Sequence, residues 1–168
     1  MEQIKKIAFG YIVSLLLMTM IYPLTFAGLL LLRDAFRKTD RKTLLRNITG
    51  SLFAFAASLP LWIVKVFLGI SSYHRVFAIT PVRVTPVIYN GVHVAFLAIQ
   101  LVLLYFIYLS LRELASLLGE PYLRTSGILL MLAVPMHLIS IQLYFAVTYT
   151  AIALLALSFI RIGQKEVR

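Results

Sequence analysis

The sequence has no cysteine, which excludes disulfides, thiolate metal sites and cysteine nucleophiles. Acids are almost as scarce: six Asp and Glu against sixteen Lys and Arg, and none inside a long apolar run. Paired carboxylates for hydrolysis or proton relay inside a membrane are therefore missing, and no HExxH, P-loop or dinucleotide Gly motif occurs. Charge of either sign amounts to 13% of residues, whereas a soluble domain keeps about a quarter charged because its surface faces water. Asn occurs twice and Gln four times. Few thermolabile amides with many arginines fit a thermophile, in a composition that membrane proteins share.

What is present is apolar. The 168 residues are 61% hydrophobic and the mean hydropathy is +0.95, so the expected fold class is an all-α polytopic integral membrane protein, one bundle forming a single domain over residues 1–168. The chain is organised around Arg33–Arg46, RDAFRKTDRKTLLR, in which six of fourteen residues are basic. Cations that dense beside membrane spans are retained on the cytoplasmic side. Arg33, Arg37, Lys38, Arg41, Lys42 and Arg46 are thus read as topology determinants that also meet anionic lipid headgroups. The net charge of +10 finds its explanation there, and no basic stripe interleaved with aromatics points to nucleic acid.

The apolar runs suggest five spans, at about 7–32, 49–71, 91–111, 125–142 and 144–161. A basic cytoplasmic connector occupies 33–48, and an extended outer connector with proline occupies 72–90. The first run, Ile7–Leu32, is twenty-six residues, longer than the apolar region of a signal peptide and short of the roughly 40 that two crossings need. It is read as one tilted span, with Pro23 and Gly28 tolerated inside it. Asn47 or Thr49 is expected to cap the second span, Asn90 the third, and Gly119 with Pro121 to stop the third.

Gly127–Ile160 runs thirty-four residues without a charge. Two spans turning near Gln142 place eleven cations inside and four outside, and one long helix places eight against seven. The asymmetry favours two spans, with the N-terminus outside and the C-terminus cytoplasmic.

Few residues carry chemistry. Lys65 is the one charge inside a span, near enough to its outer end to reach headgroups. His93 and His137 fall at similar depth on helices expected to be adjacent. Two facing imidazoles suit haem b or a quinone site, with His74 also near the outer surface. In the outer connector Thr80-Pro81-Val82 recurs as Thr85-Pro86-Val87. Pro81, Val82, Val84, Pro86 and Val87 then present an extended apolar segment for docking on other integral membrane subunits.

The leading expectation is a non-catalytic accessory subunit of a larger complex in the cell membrane, of the kind found in respiratory electron-transport or terminal oxidase assemblies. A subunit carrying haem b or a quinone through His93 and His137 is the second. A stand-alone small transporter or lipid-handling protein is the third.

Overall fold

The computed structural model describes residues 2–39, 41–73 and 86–166. Among these the chain is helical throughout: α1 Glu2–Met20, a short 3-10 turn at Tyr22–Leu24, α2 Thr25–Arg37, α3 Lys42–Tyr73, α4 Pro86–Leu118, α5 Pro121–Ile139 and α6 Ile141–Glu166. Five of the helices (α1 and α3 to α6) are long and apolar enough to cross a membrane. In lipid every backbone N–H and C=O must be satisfied within the protein, and a helix does this by itself.

The largest departure from the expected spans is the first. Residues 7–32 form two helices that fold back on each other. The chain leaves α1 at Ile21, where φ −138 and ψ 81 are incompatible with a helix, and Pro23 opens the 3-10 turn. The return is tight. A Cβ built on Gly28 would lie 2.7 Å from the backbone N and Cα of Ser14, and one on Gly10 would lie 2.9 Å from the Leu32 side chain. Glycine at both positions lets the two backbones approach, as small residues do in membrane helix pairs. At the open end of the hairpin the Gln3 side-chain amide donates to the Ala35 carbonyl at 2.7 Å. The length argument failed because the arms use charged flanks: α1 begins before Lys5 and Lys6, and α2 takes in Arg33, Asp34 and Arg37. With thirteen residues, α2 is about 20 Å long at 1.5 Å per residue, shorter than a full span.

The other boundaries shift in the same direction. Most of the expected 33–48 connector is helix, leaving only a short link between α2 and α3. Asn47 and Thr49 lie inside α3 and do not cap it; the Thr49 hydroxyl donates to the Leu45 carbonyl at 2.7 Å. Likewise Asn90 lies inside α4, which already starts at Pro86, so Pro86–Asn90 is helical and not extended. Gly119, at φ +62, ends α4, and Pro121 opens α5, as expected. The charge-free stretch is indeed two helices, broken at Ser140 by extended backbone (φ −160, ψ 136).

The helices make three antiparallel hairpins, α1/α2, α3/α4 and α5/α6. Sequence neighbours pack as spatial neighbours and α6 closes the ring on α1. The axis is filled by Tyr11, Leu15, Phe36, Phe55, Leu104 and Ile107, each at most 1% exposed. Tyr11 ties the ring across its middle. Its hydroxyl donates to Ser110 Oγ of α4 at 2.6 Å, and its ring lies against Phe36 of α2 and Phe159 of α6. Apolar contact between helices gains little over contact with lipid tails, so such packing and hydrogen bonds carry the association.

This topology brings both chain ends to one end of the bundle, together with the α2–α3 link, the end of α4 and the start of α5. Twelve of the thirteen Lys and Arg among the described residues lie there, and Lys65 alone lies toward the other end. The fold-back adds a reversal that the one-span reading lacked, and it is this reversal that puts Glu2 and Glu166 at the same end of the bundle.

Candidate functional site

The end opposite the cations gathers the polar and aromatic residues of the spans. Nineteen residues separate Arg46 from Lys65 on α3, about 28 Å at the helical rise, so this cluster sits near the far boundary of a ~30 Å hydrocarbon layer. On α4, His93, Phe96 and Gln100 follow each other at i, i+3 and i+7, which puts them on one helix face. On α5 and α6, His137 and Tyr144 flank the break at Ser140, and their rings are 5.0 Å apart, edge to face. The α1–α2 turn delivers Tyr22.

These elements enclose a cavity of about 290 Å³ lined by Tyr22, Trp62, Lys65, Gln100, His137 and Tyr144, among others. One wall is an aromatic stack: the Tyr22 ring lies 6.2 Å from Trp62, 5.2 Å from Phe55 and 5.2 Å edge-on to Phe96. The Ser58 hydroxyl donates to the Phe55 carbonyl at 2.6 Å. With that proton committed, Tyr22 is the donor in its 2.6 Å bond to Ser58 Oγ. Both Tyr22 and Ser58 are thereby held rigid.

Lys65 does not simply extend into headgroups. It is half-buried, and its ammonium stands 5.0 Å above the Phe96 ring centroid, within cation–π range. Gln100 is 5% exposed. His137 Nδ1 is buried and has no hydrogen-bond partner among the described residues. A buried imidazole nitrogen left open is costly, and a ligand group entering the cavity would satisfy it.

The expected pairing of His93 with His137 is present: the ring centroids are 5.0 Å apart, on adjacent helices. The arrangement does not fit an interposed haem. Iron held at about 2 Å by an imidazole nitrogen on each face of a flat macrocycle would put the ring centroids roughly 6 Å apart with the porphyrin between them. Here the rings are tilted by 51° and nearly in contact. No cluster of three or more metal-ligating side chains exists among the described residues.

His74, Pro81, Val82 and Val84 lie outside the described residues, as do the side chains of Pro86 and Val87 at the start of α4. Tyr22, Trp62 and Tyr144 were not anticipated as pocket walls. The i+7 spacing from His93 to Gln100 within α4 was the available signal for Gln100.

The architecture and the buried polar pocket define an all-α membrane protein with a small ligand-sized cavity at one end of its bundle. Searches with family models, among curated proteins and among solved structures find no match for this chain.

Proposed function

We propose that this chain is a non-catalytic subunit of a membrane electron-transport assembly that holds the head of a quinone in the cavity between the α1–α2 turn, α3, α4, α5 and α6. The observation that carries the reading is the pocket's mixture of walls and donors. Trp62, Phe96 and Tyr22 offer flat apolar faces. Lys65, Gln100 and His137 offer donors for carbonyl oxygens at the rim. Ligand sites are built in this way, mostly apolar with a few placed polar groups, and a volume near 290 Å³ lies just below the roughly 300–1,000 Å³ range. That room suits one ring better than a two-chain lipid. A phosphate headgroup is also less well matched, because among the described residues Lys65 is the one formal cation lining the cavity.

The same proposal places the basic end in the cytoplasm, by the positive-inside rule, and the chain in the cell membrane. It gives the chain other integral subunits as partners. Support for partners comes from α3, whose span is only 22% buried, the least of the five, with Phe53 and Phe67 exposed at 73% and 63%.

Trp62 is the only tryptophan, so the pocket carries its own reporter. Titrating a short-chain quinone into the purified protein is expected to quench Trp62 fluorescence saturably. Lys65→Met and Gln100→Leu are each expected to weaken binding by about tenfold, the loss of one hydrogen bond to a buried group. Linear, unsaturable quenching that is identical in the variants would reject the reading. Chains that copurify under native conditions test the partner half separately.

A further inference from the structure

The cationic end holds a second cavity, independent of the quinone pocket. Thr43, Arg46 and Asn47 of α3, Arg112 and Glu113 of α4, and Arg124 of α5 converge on a cleft of about 800 Å³. Sequence distance hides this: the three arginines are spread over almost eighty residues, and only the α3/α4 hairpin and the α4–α5 turn at Gly119 bring them to one opening. Topology needs cations anywhere near the ends of spans and does not require three of them to face a common cavity. Among the described residues the cleft has one carboxylate, Glu113, and its Oε1 accepts a hydrogen bond from the Thr43 hydroxyl at 2.5 Å. That bond fixes the mouth by joining α3 to α4. The three arginines are exposed and line the cleft. Asn47, 6% exposed, adds an amide at the cleft wall.

We propose that this cleft binds a phosphate group of net negative charge, supplied either by an anionic lipid headgroup or by a soluble phosphate compound. Guanidinium groups pair with phosphate oxygens through two parallel N–H bonds, which an ammonium cannot reproduce. Three of them around one opening, against one engaged acid, make a site for such an anion.

The experiment uses the full chain in phosphatidylcholine nanodiscs, with and without a minority of phosphatidylglycerol. Retained lipid is read by native mass spectrometry, and inorganic phosphate and pyrophosphate are titrated calorimetrically into the phosphatidylcholine sample. Arg46→Gln, Arg112→Gln and Arg124→Gln are each expected to weaken binding by about tenfold or more. Arg33→Gln and Arg37→Gln, which remove the same charge outside the cleft, are expected to change it by less than about twofold. Retention of phosphatidylglycerol without phosphate binding assigns the site to a lipid headgroup; phosphate or pyrophosphate binding assigns it to a soluble compound. Equal losses in cleft and control variants would mean diffuse surface attraction and overturn the proposal, as would binding of neither probe. Arg112→Lys guards against misfolding. It keeps the charge, and it should retain wild-type helicity and Trp62 emission while still losing affinity.

Discussion

Gly28→Ala separates the helical hairpin from a single long first span, because the two arrangements predict opposite signs. In a continuous membrane helix, alanine at a glycine position is favourable by about 0.5–1 kcal/mol. In the hairpin, the added Cβ would sit 2.7 Å from the Ser14 N and Cα, and 2.3 Å from its Oγ. The hydroxyl can rotate away; the backbone cannot, so α1 and α2 must separate. A close-packed interface resists that by about 1–3 kcal/mol for an inserted methyl group. After subtracting the propensity gain, a net destabilisation of about 1 kcal/mol, at most about 2.5, is expected. Gly163→Ala on α6 is the control, because its Cβ meets nothing within 4 Å; it should be neutral or slightly stabilising. Unfolding in mixed micelles by added SDS, followed by helicity and Trp62 fluorescence, measures both. A Gly28→Ala protein as stable as the Gly163→Ala protein would refute the close approach of α1 and α2.

Other outcomes follow from the same packing. Tyr11→Phe removes the hydroxyl that bonds Ser110 across the bundle and should cost about 0.6–1.7 kcal/mol in the same micelle assay. Leu104→Ala opens a cavity at a position 1% exposed and should cost about 2–5 kcal/mol, whereas Phe53→Ala on the outer face of α3, 73% exposed, should change stability by less than about 0.5 kcal/mol. Tyr22→Phe leaves Ser58 Oγ without its donor and should loosen the pocket wall, seen as a shifted Trp62 emission maximum with helicity unchanged.

The sequence was informative wherever one physical term dominated. Hydropathy alone located the membrane helices, and the charge asymmetry pointed to two helices in 127–160, where the structure has α5 and α6. The depth of His93 and His137 followed from residue counts along two helices, and it survived the change in topology since neither helix moved relative to its neighbour. The first run was misread because apolar length is a poor signal when charged flanks supply the missing turns. Pro23 marked the reversal; its ordinary tolerance in membrane helices concealed it. Helix starts at Lys42 and Pro86 were missed for a related reason: Asn47 and Asn90 are cap residue types, yet both lie inside helices that begin earlier. The arginine cleft was illegible, since convergence of Arg46, Arg112 and Arg124 depends on which helices pair.

The absence of native cysteine makes the central claim, that the fold-back brings both chain ends to the basic end, directly measurable. Single cysteines at Gln3, Lys38 and Gln164, each in an otherwise unchanged chain, would be challenged with a membrane-impermeant maleimide in intact cells and again after permeabilisation. The structure predicts that all three behave alike; with the basic end in the cytoplasm, as proposed, they are protected in intact cells and labelled once the membrane is opened. Labelling of Gln3→Cys from outside while Lys38→Cys and Gln164→Cys stay protected would contradict it and restore a single first span.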